Sequence, residues 1–298
     1  MSPFPRQYLM SVPETQPTVL VLTALPLEYA ALRAYVPERQ ERVHDKGTRV
    51  EIGRLPDSPW QLAISELGVG ADRAAALTAQ LIEWLHPEAV LFVGVAGSLK
   101  DDIEIGDVVV GTQVYEIHGG KQAHDGFKVR PRALPGSHAL EQAARSAARD
   151  LPEVRVHFAP IATGDVVLAD ARSGIARHIE AHYNDAGAIE MEGSGAAQAA
   201  HLSGQVDALV VRGISDRADR HKRRADAGGS QQRAAGHAAT VTVALLRKHQ
   251  PRHPRPAAPE EDPQTRYGGD HIDFRGGTFH GTVIGKQTGN GPERSGQR

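Results

Sequence analysis

The sequence contains no cysteine, so disulfide bonds and thiolate-bound metal sites are excluded. It also lacks an uninterrupted apolar run of about 18 residues, the length that a transmembrane helix needs. The first residues, MSPFPRQYLMSVPETQP, contain no apolar run of signal-peptide length. A formal net charge of -2 gives no overall attraction to nucleic acid or to an anionic membrane. We therefore expect a cytoplasmic protein that binds neither nucleic acid nor a membrane.

The residues that are present are typical of a globular α/β protein. Hydrophobic residues make up 40% of the chain and charged residues 23%. A length of 298 residues is enough for one large domain with a tail or for two small domains. Changes in composition favour a flexible lead-in at 1–17, a main domain at 18–249, a Pro-rich linker at 250–269 and a short Gly-rich, β-prone tail at 270–298.

Strands and helices are predicted to alternate through the main domain. Short apolar runs rich in β-branched residues predict strands that are buried on both faces of a sheet, at 18–24, 89–95 and 208–211. Amphipathic or Ala-rich stretches predict helices between them, at 72–85, 137–150 and 231–249. This alternation predicts an α/β fold, a three-layer αβα domain around a central mixed, mostly parallel sheet.

Acidic side chains follow several of the predicted strands. They are Glu28 after the first strand, Glu190 and Glu192 at a short strand near 188–190, and Asp216 after the strand at 208–211. In open α/β sheets the ligand binds at the carboxyl ends of the strands, so these carboxylates are candidates for chemistry. Each also has a structural alternative, either a first-turn helix carboxylate favoured by the helix dipole or an exposed loop residue.

Four short motifs resemble those of one family. They are ALPLE at 24–28, GVAG at 94–97, EME at 190–192 and VRGISD at 211–216. Together, in this order over about residues 18–249, they resemble the nucleoside phosphorylase and purine nucleosidase superfamily, in particular the methylthioadenosine/S-adenosylhomocysteine nucleosidase-like proteins. The resemblance implies an enzyme that hydrolyses the N-ribosidic bond of an adenine nucleoside or nucleotide and needs no cofactor.

The resemblance also implies roles for the acidic residues. Cleavage of an N-ribosidic bond needs the base to leave as a neutral species and the oxocarbenium-like sugar to be captured by a nucleophile. By resemblance, Asp216 is the general acid that protonates N7 and Glu28 binds and activates water. Glu192 would accept hydrogen bonds from the ribose 2′ and 3′ hydroxyls. Met191 would pack against the ribose, and Glu190 would support its neighbours.

Further substrate-binding positions surround these residues in the family. The GVAG loop resembles the loop on the ribose or phosphate side, and the segment 162–168 resembles one wall of the purine pocket. The family's hydrolases usually carry an aromatic where Val167 stands, so base stacking is expected to be weaker here. A glycine turn before the helix at 72–85 brings amides near a ligand oxygen, although a simple tight turn fits equally well. The candidates are Ser215, Gly97, Ala96, Gly70, Val167 and Leu168.

Water is favoured over phosphate as the nucleophile. Phosphorylases of the family need arginines near the first glycine loop and after the GVAG strand, to hold phosphate beneath C1′. This sequence has LPLE at 25–28 instead, and no arginine adjoins residues 94–98. Glu28 would also repel phosphate. The alternative within the class is a phosphorolytic purine nucleoside phosphorylase.

A metal site is not predicted. The segment 115–136 contains His118 and His124, but their spacing matches no common ligand pattern, and we expect a solvated loop there.

The 5′ side of the substrate site departs from the methylthioadenosine hydrolases. Where those enzymes carry an aromatic after the Ser-Asp motif, this chain has a basic run at 217–224. Arg217, Arg220 and Lys222 are therefore candidate contacts for a 5′-phosphate, and an adenine nucleotide becomes as reasonable a substrate as a thioether nucleoside. The alternative is a solvated, charged loop.

The C-terminal segment suggests a different class of function. Residues 271–285 alternate apolar and polar residues, and they resemble short β-type assembly motifs attached to some bacterial signalling effectors. A nucleoside-sensing or assembly-controlled signalling or immune effector, with a signalling partner at this tail, is therefore an alternative hypothesis, as is a disordered end. The family resemblance also implies a homodimer or a higher homo-oligomer.

Overall fold

A computed structural model describes residues 16–124, 126–166, 168, 170, 172–204, 206–219 and 228–252. Most of the predicted lead-in, most of the predicted linker and the whole predicted tail lie outside the described residues. Within the described part of the chain, no helix is long and apolar enough to cross a membrane.

Twelve strands and six helices are formed by the described residues. In chain order they are β1 (Thr18–Thr23), α1 (Pro26–Arg33), β2 (Arg39–Val43), β3 (Arg49–Arg54), β4 (Gln61–Glu66), α2 (Ala71–Leu85), β5 (Ala89–Ser98), β6 (Val108–Glu116), β7 (Gly120–Ala123), β8 (Gly126–Val129), β9 (Arg132–Pro135), α3 (His138–Ala148), β10 (Val156–Thr163), α4 (Gly174–His182), β11 (Ala188–Glu190), α5 (Gly193–Leu202), β12 (Asp207–Asp216) and α6 (Ser230–Lys248).

One large mixed sheet forms the middle layer. Its strand order is β11-β10-β6-β12-β5-β1-β4-β3-β2, with β9 paired to β6. The strands β12, β5, β1 and β4 run parallel to one another, as do β6, β10 and β11. Antiparallel pairs join β6 to β12 and form the edge at β2, β3 and β4. The predicted mixed sheet is confirmed.

Helices cover both faces of this sheet. In β1, Val19 and Val21 belong to one apolar cluster, together with residues of α1, α3 and α6. Leu20 and Leu22 point the other way and join residues of α2 and α5 in a second cluster. Alternate residues of a central strand are thus buried on opposite faces, which explains its continuous apolar sequence. The predicted three-layer arrangement is confirmed.

The sequence patterns missed several peripheral elements. The edge strand β2, with the sequence RQERV, is mostly exposed and carries no apolar alternation that would predict a strand. The segment predicted as a solvated loop contains instead the end of β6, the hairpin β7–β8 and the strand β9. The helix α4 buries only Ile179, so its apolar stripe is too narrow to stand out. Tertiary contacts decide these elements.

The end of α6 contacts the sheet near the amino ends of β4 and β12, away from the carboxyl ends of the parallel strands. The Trp60 indole nitrogen donates to the His249 carbonyl at 3.0 Å, and the two rings stack with centroids 5.3 Å apart. Arg252 then forms an ion pair of 2.6 Å with Asp207, the first residue of β12. The chain therefore keeps defined contacts up to the first residues of the predicted linker.

Candidate active site

A cavity of about 200 Å³ lies where the carboxyl ends of β1, β5, β11 and β12 meet. The four predicted carboxylates, Glu28, Glu190, Glu192 and Asp216, all line it. The strand β5 separates β1 from β12 in the sheet, so Glu28 and Asp216 approach the cavity from either side of β5. Residues far apart in sequence are thus brought to one place by the parallel strand order.

Glu28 is buried in the first turn of α1, with 3% of its surface exposed. Its Oε2 accepts the amides of Ala24 and Leu25, both at 2.9 Å, which satisfies two free N–H groups at the helix start. Its Oε1 accepts the Val95 amide at 2.8 Å. A carboxylate oxygen has two lone pairs, so Oε1 keeps one acceptor position for a further donor. Burial raises the pKa of Glu28, while Arg212 and these amides lower it in part.

Glu190 has little acceptor capacity left for a ligand. Its Oε2 accepts the amides of Glu192 at 3.0 Å and Gly193 at 2.8 Å and also pairs with the Arg212 guanidinium. Its Oε1 accepts the Thr163 hydroxyl. Because about four lone-pair positions are available to a carboxylate, these donors nearly saturate it. Glu190 therefore holds the turn into α5 and the arginine, in agreement with a supporting position.

Glu192 lies two residues further on and is bonded much more weakly. Its Oε1 accepts one long hydrogen bond, of 3.3 Å, from the Gly70 amide, and its Oε2 lies 3.7 Å from Arg212 Nη2. Burial raises the pKa of Glu192 to about 7, although Arg212 acts in the opposite direction, and Glu190 adds to the rise. Glu192 thus has free acceptor positions on both oxygens, as a group that binds two hydroxyls must have.

Asp216 is 1% exposed and accepts hydrogen bonds from two uncharged donors among the described residues. Its Oδ1 accepts the Ala218 amide at 2.8 Å, and its Oδ2 lies 2.9 Å from the Ser215 hydroxyl. The pairing of β12 with β5 shifts register between Ile214 and Asp216, a bulge that turns the side chain of Asp216 toward the cavity end of the strand. A Cβ on Gly97 would lie 2.9 Å from Asp216 Oδ1, so glycine is needed there.

Arg212 is the main site residue that the sequence did not single out. It lies within β12, is 0% exposed and stacks over the Phe92 ring at 4.7 Å. Burial alone would lower its pKa, but the charges of the surrounding carboxylates Glu190, Glu192 and Glu28 raise it overall. A charged residue inside the otherwise apolar run LVVRGIS is a signal that was available in the sequence.

Gly94 was also missed as an individual residue. It pairs with Arg212 across the sheet, and a Cβ at this position would overlap both Arg212 Nη1 and Glu28 Oε1. The sequence has no arginine next to residues 94–98, but the fold places one beside Gly94. Among the described residues, Nε and Nη1 of this arginine have no hydrogen-bond partner.

The other predicted site residues fall into three groups. Those that line the cavity are Ala96, Gly97, Met191, Ser215 and Leu168. Gly70 contacts the site through its hydrogen bond to Glu192. Arg217 is exposed and lines a neighbouring cavity instead. Val167, Arg220 and Lys222 lie outside the described residues, and their roles stay predictions.

No group of three or more histidine, aspartate and glutamate side chains in the described ranges is arranged to hold a metal ion. His118 Nε2 lies 3.2 Å from the Asp165 amide, which accounts for its polar contact. The polar side chains that line the first cavity include four carboxylates, and the buried Arg212 lies behind Glu190. Such a set can move protons and orient water.

Comparisons with known proteins identify the family. The Phosphorylase superfamily profile matches residues 18–247. A 5′-methylthioadenosine/S-adenosylhomocysteine nucleosidase of Chromohalobacter salexigens is 29% identical over 77% of this chain and 97% of that protein. A nucleosidase of the same name from an Exiguobacterium strain is 33% identical over 53% of this chain and 69% of that protein. The chain belongs to the Phosphorylase superfamily, which confirms the resemblance drawn from its four motifs.

A solved structure extends this similarity to the fold. One such structure is the 5′-methylthioadenosine/S-adenosylhomocysteine nucleosidase of Neisseria meningitidis in complex with methylthio-immucillin-A. It superposes on this chain with a TM-score of 0.70 at 25% identity. The similarity covers 77% of this chain and 98% of that chain. The Chromohalobacter and Neisseria proteins are matched over 97% and 98% of their lengths, and the segment after residue 247 of this chain lies outside the family match.

Proposed function

We propose that this chain is a purine nucleosidase that hydrolyses the N-ribosidic bond of an adenine nucleoside, with Asp216 as general acid and Glu28 as the base that orients water. The single observation that carries the proposal is that both carboxylates line one small cavity, from either side of β5. The names of the matched relatives support the same reaction class. The two residues are far apart in sequence, and the order of the strands in the sheet brings them together.

The reaction follows from the hydrogen-bonding capacities of the carboxylates. Glu192, with acceptor positions on both oxygens, binds the ribose 2′ and 3′ hydroxyls and fixes the sugar. Asp216 transfers its proton to N7, so adenine leaves as a neutral base while the C1′–N9 bond breaks. The one unused acceptor position of Glu28 Oε1 orients a water molecule toward C1′. The oxygen of this water forms a bond to C1′, and one proton of the water passes to Glu28.

The charges of the site favour water over phosphate. Glu28, Glu190 and Glu192 surround a single arginine, and that arginine is already paired with Glu190. Burial already disfavours the charged forms of Glu28 and Glu192, so a phosphate dianion beneath C1′ would add negative charge where the site disfavours it. We therefore assign hydrolysis, although a buried arginine does lie near the position where phosphorylases need one.

The substrate that fits the described residues best is an adenine nucleoside with an uncharged 5′ substituent, such as a thioether. The cavity has apolar side chains at its mouth, where Val69 is 51% and Val166 45% exposed. No lysine or arginine is present among the described residues that line it. The alternative hypothesis of an adenine nucleotide substrate depends on the basic run at 217–224, of which the structure describes only 217–219.

Product analysis in buffers with and without phosphate tests this proposal. Purified protein is incubated with 5′-methylthioadenosine and, separately, with AMP and ATP, and adenine and the sugar product are quantified. We expect adenine and free methylthioribose, at a rate that does not depend on phosphate, and slower turnover of both nucleotides. Formation of a sugar 1-phosphate would assign phosphorolysis, and faster release from AMP or ATP would assign a nucleotide substrate.

We also propose that the chain forms a homodimer or larger homo-oligomer and that the C-terminal segment adds a second association surface. The support is the family resemblance for the first and the alternating pattern of residues 271–285 for the second. Light scattering and adenine release are measured on the full chain and on a chain that ends at Arg252. A smaller number of subunits together with altered activity in the truncated chain supports tail-mediated assembly. An unchanged number of subunits and unchanged activity contradict it.

A further inference from the structure

A second cavity, of about 640 Å³, adjoins the first. It lies between α4 and the segments that follow β5 and β12, and it is about three times larger than the first cavity. Leu168 and Ala218 line both cavities, so the two cavities adjoin at these two residues. Ala218 is also the residue whose amide binds Asp216 Oδ1. The second cavity thus begins directly beside the proposed general acid.

Given the proposed function, the position of Leu168 and Ala218 indicates which part of the substrate faces the second cavity. If Asp216 protonates N7, the exocyclic group at C6 lies on the same edge of the purine, whereas N9 and the ribose lie on the other side of the five-membered ring. The residues assigned to the ribose, Glu28, Glu192 and Met191, line only the first cavity. The second cavity therefore adjoins the C6 edge of the base.

Part of the inner surface of the second cavity is apolar, and polar or charged side chains line the rest. Ile179, Tyr183 and Ala186 are buried and belong to one cluster with Leu168 and Ala218, and Leu99 packs against that cluster. Such a surface suits an aliphatic or aromatic group, because burial of its apolar area is favourable.

The charged residues around the second cavity have nearly balanced signs. Lys100 and Arg217 are accompanied by Asp101, Glu180 and Asp219. Lys100 also donates a hydrogen bond to the Asn184 carbonyl. Among the described residues this mixture offers no strong site for an anion such as phosphate, so a neutral substituent is favoured over a charged one.

We propose that the second cavity is a specificity subsite for a neutral, apolar substituent on the 6-amino group of the purine. The substrate class is then an N6-alkylated or N6-arylated adenine nucleoside, cleaved by the same carboxylates. The substituent passes between Leu168 and Ala218 and packs against α4. This assignment places Arg217 at the base end of the substrate and so competes with its predicted contact to a 5′-phosphate.

Two nucleosides that differ only at N6 test the inference. Release of the free base is measured for 5′-methylthioadenosine and for its N6-benzyl derivative. We expect the wild-type protein to cleave both, with kcat/KM values within about tenfold, because the benzyl group enters a preformed cavity and packs against its apolar wall. Cleavage of the parent without cleavage of the derivative overturns the inference and leaves the proposed function intact. Absence of cleavage of both overturns the proposed function and the inference with it.

Filling the cavity gives an independent readout. Ala176 on α4 lines the second cavity and not the first, whereas Ala181 on the same helix is exposed. Ala176→Phe is expected to lower kcat/KM for the N6-benzyl nucleoside at least about tenfold while the parent is cleaved as before. Ala181→Phe, the matched control, is expected to leave both unchanged. Equal loss for both nucleosides in Ala176→Phe, with native circular dichroism, would contradict the subsite.

Binding of the free bases to the wild-type protein tests the subsite without any variant, so the test does not depend on whether a variant folds. Calorimetry on the wild-type protein compares adenine with N6-benzyladenine. The subsite predicts that the benzyl derivative binds at least as tightly as adenine, since apolar area is buried in addition. Binding of adenine without measurable binding of N6-benzyladenine would contradict the subsite.

Discussion

The two ends of the proposed catalytic cavity hold their acidic groups in different ways. At the ribose end, Glu28, Glu190 and Glu192 surround one buried arginine, and burial raises the pKa of Glu28 and of Glu192. At the base end, Asp216 is bonded by the Ser215 hydroxyl and the Ala218 amide, both uncharged donors. In the proposed mechanism the charge cluster binds and orients the sugar, whereas the donors to Asp216 within the described ranges, which hold the proposed proton donor, are uncharged.

The largest effect is expected from removing the acid at the base end. Asp216→Asn keeps the shape of the side chain but cannot supply the proton to N7, so kcat should fall by about 10²–10⁴-fold. Affinity for a nonhydrolysable nucleoside analogue should change little. Adenine release and calorimetry measure the two quantities. A variant that keeps wild-type turnover would assign the proton transfer to another acid.

Breaking the charge cluster should cost mainly stability. Arg212→Met leaves Glu28, Glu190 and Glu192 buried without their cation, and loss of one partner from a buried pair typically costs about 3–5 kcal/mol. The free energy of unfolding is measured by urea denaturation. The control is Arg217→Met at an exposed position, where a change within about 0.5 kcal/mol is expected. Similar stability of the two variants would contradict the importance of the cluster.

A single methyl group should disturb the ribose end without removing a charge. Gly94→Ala places a Cβ against Glu28 Oε1 and Arg212 Nη1, so we expect kcat to fall by about tenfold or more because small displacements of catalytic groups are costly. The control is Gly236→Ala in α6, where a Cβ meets no atom within 4 Å. It should keep full activity and gain up to about 1 kcal/mol from helix propensity. Full activity of Gly94→Ala would show that Glu28 is not held as described.

The smallest effect is expected from pH, through Glu192. Its pKa of about 7 means that Glu192 loses its charge as the pH falls through 7, so hydrogen bonds to the ribose hydroxyls weaken and KM should rise. Glu192→Gln should show a high KM that no longer changes over this range. Equal pH dependence of KM in both proteins would assign the titration to another group.

Stability should respond to the same group in the opposite direction. The folded-state pKa of Glu192 lies above the reference value of 4.5, so its protonated form is favoured in the folded protein. The resulting stabilisation is fully present below pH about 4.5 and is lost as the pH rises through about 7. Relative to wild type, Glu192→Gln should therefore gain stability from pH 5 to pH 8, as measured by urea denaturation. A constant difference between the two proteins over this range would contradict the raised pKa.

The carboxylates of the site could be predicted from the sequence, whereas the role of Arg212 could not. Glu28, Glu190, Glu192 and Asp216 each follow a buried strand, and the parallel order of an α/β sheet brings strand ends together, so local patterns locate them. Arg212 could not be assigned in this way. Its role depends on the pairing of β12 with β5, which no local pattern encodes.

The parts of the fold that escaped prediction are those with weak apolar patterns. Strand β2 and the hairpin β7–β8 are mostly exposed, and their pairing is set by neighbours rather than by their own alternation. The second cavity also had no signature, because its walls come from separate segments after β5 and β12 and from α4. Sequence patterns therefore predict the buried centre of this protein better than its periphery.

A double-variant kinetic cycle tests most directly whether the two ends act on one bond. Adenine release from 5′-methylthioadenosine is measured for wild type, Glu28→Gln, Asp216→Asn and the double variant. If both groups stabilise the same transition state, each single change causes a large loss of kcat, and the double variant is little slower than the slower single variant. Retention of wild-type activity in either single variant would contradict the assignment of both groups to this reaction, and losses that multiply fully would show that the two groups act independently.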